Sequence, residues 1–166
     1  MEEFLDEIEA SYEAGHFYLA LFCCLALPDI CGAISSADGI ASGQKYKVWF
    51  DAYVAPKYEG NFDGSNCYAF RCAALHQGRS AQRNLGYTRV LFLAPTDANR
   101  LCMHNNVLND ALNLDVGEFC RDMISAVRIW MHREASNPTF QRNMASFLQR
   151  HRGGLPPYIV GVDVFS

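Results

Sequence analysis

The chain has 166 residues, half of them apolar and 19% charged, with a formal net charge of −4. This composition suits one folded domain spanning residues 1–166 with a sizeable core; it excludes a disordered chain, a repeat array and a general, strongly basic nucleic-acid binder. The charge is uneven: residues 1–15 hold Glu2, Glu3, Asp6, Glu7, Glu9 and Glu13 without a base, so the remainder sums to +2.

Taken in chain order, Phe4, Leu5, Ile8 and Tyr12 recur at helical spacing and predict an amphipathic helix over 2–14, stopped by Gly15. Its early carboxylates suit the positive end of the helix dipole. A second helix, from about His16 to Ile34, is apolar nearly all round and reads as central. Pro28 is expected to kink or split it, since proline lacks a backbone donor and clashes with the preceding turn. The eleven-residue apolar run Phe17 to Leu27 is shorter than the roughly 20 residues of a membrane span. The acidic segment ahead of it does not fit a signal peptide. The run therefore reads as a core helix with no membrane role.

Ser35 to Gly43 reads as a loop, and a third helix is expected over Gln44 to Ala55, with Trp49 and Tyr53 on one face and Pro56 ending it. Asp63-Gly64-Ser65 resembles a turn and N-cap for a fourth helix, Asn66 to Gln77, with Gly78 where a left-handed cap belongs. Thr88 to Ala94 is β-rich, and Leu101 to Val107 is expected as its hairpin partner. Val116 to His132 carries an apolar stripe from Val116 to Met131 and predicts the clearest helix. A sixth helix is expected over Pro138 to His151, opened by a proline at a tolerated position. Tyr158 to Phe165 reads as a last strand joining the other two. The sum is an α+β fold: about six helices beside a small, mostly antiparallel sheet.

Seven cysteines form no CxxC pair, which excludes a zinc ribbon and a thioredoxin-type motif. They read as small buried hydrophobes in a reducing compartment, so a cytoplasmic location is expected. G-x-S-x-G, P-loop and dinucleotide fingerprints are all absent from the sequence. No cofactor is expected.

The residues best suited to chemistry lie in the fourth helix. Arg71 and His76 are five apart, about 140° around a helix, and a long arginine can swing toward the helix end that His76 overlooks. Between Gly64 and Thr96 there is no Asp or Glu, while Arg71, His76, Arg79, Arg83 and Arg89 all fall there. Histidine titrates near neutrality and moves protons; arginine stays charged and stabilises a phosphate gaining negative charge. That pairing suits phosphoryl chemistry without a metal. The same pair is also compatible with a histidine favoured by the helix dipole beside a solvated or ion-paired arginine, or with a non-catalytic phosphate or nucleotide site.

An Arg, four to six residues and a His at the end of a helix resembles the signature of the HEPN superfamily, many of whose members are metal-independent endoribonucleases of bacterial toxin and phage-defence systems. The resemblance implies a HEPN-like domain in which His76 assists attack of an RNA 2′-hydroxyl on its own phosphate and Arg71 binds that phosphate. It also implies a symmetric homodimer, with two Arg–His sets lining one cleft. Arg79 and Arg83 are then candidates for contacting RNA, and the basic residues Arg142, Arg150, His151 and Arg152 for further phosphate contacts. Cys72 departs from the pattern, whose corresponding residue is commonly polar.

A second polar cluster, His104-Asn105-Asn106 followed by Asn109, Asp110, Asn113 and Asp115, offers groups for a substrate pocket or for base edges. The alternative is a set of turn and cap residues leading into the Val116 helix. His104 with Asp110 and Asp115 lacks metal-ligand spacing, so no metal is expected. Two function classes follow: an endoribonuclease using Arg71 and His76, with His104, Asn105 and Asn106 as substrate contacts, or a non-catalytic module of the same fold binding a protein partner or a nucleotide. In the second case, exposed aromatics such as Trp49 or Tyr53 are expected to carry binding.

Overall fold

The computed structural model describes residues 1–80, 86–96 and 103–166. Among these, six α-helices pack beside a small three-stranded sheet, and two short β-ribbons close the chain. The α+β expectation holds.

Helix α1, Glu2–Glu13, buries Leu5 and Ile8 and leaves its acidic face outward. Arg128 meets that face, reaching Glu2 at 3.2 Å and Asp6 at 2.9 Å. Helix α2, Phe17–Ile34, is long and apolar enough by length and composition to cross a membrane, but half of it is buried among α1 and the later helices. It runs unbroken through Pro28, which is buried inside it. The expected split does not occur, because the surrounding helices hold this apolar segment in place where a solvated helix would yield.

Helix α3, Gly43–Tyr53, is capped by Ser42, whose hydroxyl accepts from the Lys45 amide, and passes into a short 3-10 turn, Ala55–Tyr58. Trp49 is 4% exposed and stacks on Tyr53 (5.4 Å between centroids) and edge-on to Trp130 (6.1 Å). The expectation of exposed binding aromatics therefore fails for Trp49, which belongs to the core, while Tyr53 is half-buried against the core's edge. Helix α4, Gly64–Gln77, has a full capping box between Asp63 and Asn66 and ends at Gly78 in the left-handed conformation (φ 60°). The Arg79 amide donates to the Ala73 carbonyl, closing the helix end in the way glycine caps do. Gly64 is needed for close approach to α3, since a Cβ there would lie 2.5 Å from the Lys47 carbonyl oxygen.

The sheet differs from the expected hairpin. Strand β1, Arg89–Leu93, pairs in parallel with β3, Ala111–Asp115, and β2, Asn106–Leu108, lies antiparallel on the other edge of β3. Asn109 and Asp110 both have positive φ (51° and 59°) and form the two-residue turn between β2 and β3. The expected partner segment, Leu101 to Val107, lies partly outside the described residues. The central strand is β3, with Leu112, Asn113 and Leu114 all buried.

Helix α5, Val116–Glu134, follows directly, capped by Asp115, which accepts from the Glu118 amide. It buries Phe119, Met123, Val127 and Trp130, the apolar stripe read from the sequence. Helix α6, Pro138–Met144, stops well before His151. Beyond it, β4 (Arg150–His151) pairs with β7 (Val164–Phe165), and β5 (Gly154–Leu155) with β6 (Ile159–Val160). The Tyr158 to Phe165 segment thus forms its own ribbons and does not join the main sheet. Gly153, Gly154 and Gly161, all at positive φ, permit these tight reversals.

Candidate functional site

Helix α4 positions Arg71 and His76. Its buried residues, Cys67, Phe70 and Ala73, face the core, so Arg71 emerges at the boundary with α2 and His76 lies exposed in the last turn. Nη1 of Arg71 lies 2.5 Å from Nε2 of His76. A guanidinium carries donors and no acceptor, so His76 Nε2 must accept. In this arrangement the ring proton sits on Nδ1.

Sequence reasoning missed the third member. Asp29 of α2 pairs with Arg71 at 2.6 Å, with both side chains less than one-fifth exposed. Asp29 is the one charged residue between Phe17 and Ile34; a carboxylate on an otherwise apolar core helix requires a partner, and that was the available signal. Burial pushes its carboxyl above the usual range, with Arg71 acting in the opposite sense. Arg71 also lies over the Tyr68 ring at 6.0 Å and beside the Cys72 sulfur at 3.9 Å. Arg71 is therefore a fixed side chain held by four neighbours, not a solvated one.

Arg79 is exposed beyond the helix cap. Arg83 lies outside the described residues. His104, Asn105 and Asn106 sit elsewhere, against the 3-10 turn, α5 and the sheet. Nε2 of His104 is 3.8 Å from Asp122, which also accepts from Lys57 (2.7 Å) and from the Tyr58 hydroxyl (3.1 Å), and the His104 ring packs on Tyr58. Asn105 accepts from Asn61, and the Asn106 carbonyl accepts from the buried Asn113 amide. Among the described residues, no hydrogen bond or ion pair joins this group to Arg71 and His76. Asp110 accepts a hydrogen bond from the Thr88 hydroxyl, while Asp115 caps α5. Asn109, Asp110 and Asp115 are thus turn and cap residues.

Three of the late basic residues, Arg142, Arg150 and Arg152, have partners within the chain. Arg150 binds Asp163 through two nitrogens (2.9 and 2.6 Å), Arg152 pairs with Glu3 at 2.9 Å, and Arg142 donates to the Ala37 carbonyl. Cys31 and Cys67 are fully buried, and burial pushes both thiols well up, away from nucleophilic use. Among the described residues no His, Cys, Asp and Glu set is arranged to hold a metal. Comparison with protein-family models, with curated proteins and with solved structures gives no match for this chain.

Proposed function

We propose that this chain is a metal-independent endoribonuclease of the kind that the HEPN resemblance implies, with Arg71 and His76 as its catalytic pair. The observation that carries the proposal is the direct contact of the two side chains at an exposed helix end. An RNA phosphate oxygen accepting from Arg71 Nη1 replaces His76 as that donor's partner and frees Nε2. His76 then takes the proton of the adjacent 2′-hydroxyl, and the 2′-oxygen bonds to phosphorus. The bond from phosphorus to the 5′-oxygen breaks and that oxygen takes the proton back from the His76 imidazolium, leaving a 2′,3′-cyclic phosphate, a 5′-hydroxyl and a neutral His76. Asp29 fixes the guanidinium for this exchange.

A homodimer fits the same reading. Tyr18 (79% exposed), Leu19 and Phe22 form an apolar surface on α2, and Tyr18, Phe22 and Asp29 fall within about 40° of one another around that helix. A second copy covering this face would bring two Arg–His pairs close together.

Two observations favour a second reading, a non-catalytic interaction module. Asp29 neutralises Arg71, and the C-terminal ribbons expose Tyr158, Val160, Val162 and Phe165 in a form suited to a protein partner. The test is incubation of the protein with mixed RNA in the presence of chelator. Cyclic phosphate ends are expected from the ribonuclease; RNA that stays intact between pH 6 and 8, about the range in which histidine titrates, favours the interaction module.

A further inference from the structure

Asp29 has a second environment. Helices α1 and α2, the loop after α2 and the end of α6 with the segment that follows it border an open cavity of about 800 Å³, a volume typical of small-molecule sites. Phe4, Phe147 and Phe165 form its aromatic walls, and Asp29, Glu3 and Glu7 contribute carboxylates. The charges there are unequally satisfied. Arg150, also on the wall, is engaged by Asp163 through two nitrogens, and Glu3 is paired with Arg152. Glu7 has no hydrogen bond or ion pair among the described residues. Asp29 has its Oδ2 sealed against Arg71 but keeps about 16% of its side chain exposed.

Aromatic faces and carboxylates attract the same kind of group, a cation; among the described residues Glu7 is free of an ion pair, and Asp29, though paired with Arg71, stays partly open to the cavity. An apolar body suits the remaining surface of Ile30, Ala33 and Ile34. We propose that the cavity binds an organic cation with an apolar body, its positive head held by Asp29 and Glu7. Because Asp29 also holds Arg71, ligand and guanidinium compete for one carboxylate, and occupancy loosens Arg71. The binding proposal stands apart from RNA cleavage: it requires the cavity and its carboxylates, not a catalytic His76.

Calorimetry with three probes of one shape, 4-phenylbutylammonium, 4-phenylbutanol and 4-phenylbutyrate, tests it. The ammonium is expected to bind about tenfold more tightly than the alcohol, as a charge-assisted contact implies. Glu7→Gln, on the exposed face of α1, removes most of that preference, and Ala33→Phe, which puts a ring into the apolar part of the cavity, weakens binding of all the probes. Arg71→Gln, which removes the competing cation, tightens the ammonium several-fold. Equal affinity for ammonium and alcohol overturns the proposal. So does tighter binding of the carboxylate, through Arg150 or the Met1 amino group, or binding that Ala33→Phe leaves unchanged in a folded protein. Weaker ammonium binding in Arg71→Gln overturns the contact with Asp29, whatever the outcome with RNA.

Discussion

Arg71 was legible in the sequence as a cation on a helix free of acids, but its partner was not. The acid-free stretch from Gly64 to Thr96 suggests an open positive surface, whereas Asp29 reaches it from α2, more than forty positions earlier. Charge counted along a chain cannot reveal a carboxylate brought in by tertiary packing. The lone Asp29 within an apolar helix was nonetheless a readable sign that some cation must meet it. Asp29→Asn is expected to destabilise the fold by about 1–3 kcal/mol, the usual loss when a partly buried charged group loses its partner. Chemical denaturation checks this. It should also release Arg71 from its fixed place, visible as averaging of the guanidinium resonances. If Asp29→Asn leaves both stability and the Arg71 resonances unchanged, the ion pair does not organise the site.

At the level of elements, all six helices were readable from apolar patterning and end signals, though the sixth stops at Met144 and not at His151. Asp63, Gly78 and Asp115 each mark a boundary that the structure keeps within a residue or two. The strands were harder. Ala111 to Asp115 carries Asn113 between Leu112 and Leu114, and it reads as a polar lead into α5; its parallel pairing with β1 is a long-range choice that local pattern does not encode. The last helix was likewise expected to run from Pro138 to His151, but it stops at Met144 and Arg150, bound by Asp163, lies in a ribbon. Close helix contact gives a sharp test. In Gly64→Ala the new Cβ meets the Lys47 backbone, so α3 and α4 must separate, at a cost of about 1–3 kcal/mol as in other overpacked sites. The midpoint of unfolding reports it, and an unchanged midpoint would mean that the helices do not approach so closely.

Across the whole molecule, the acidic start and the basic end answer each other: Glu3 pairs with Arg152, and Arg128 of α5 clamps Glu2 and Asp6. The C-terminal ribbons are fastened mainly by polar contacts, with Asp163 accepting from the Gly153 amide and from Arg150. These bonds, the Gly153 amide first, hold the Asp163 carboxyl below its usual range. A carboxyl lowered in the folded state stabilises above its unfolded pKa and loses that contribution as pH falls toward the folded value. Amides of the ribbons should therefore exchange faster as pH drops below about 4, once intrinsic rates are corrected for, while the core of α5 stays protected. Asp163→Asn should remove that pH dependence. Uniform protection across the chain would contradict the picture of a polar-fastened ribbon on an apolar core.

The central claim concerns chemistry at the α4 terminus, and the most direct measurement is RNA cleavage by His76→Ala and Arg71→Ala proteins beside the parent chain, with chelator present and folding checked by circular dichroism. The account expects the parent to leave 2′,3′-cyclic phosphate ends. It expects each substitution, and the two together, to lower the rate by a similar factor of about 10² or more, since the pair acts as a unit. Cleavage that persists in a folded His76→Ala protein, or a parent chain that leaves RNA intact, would contradict it.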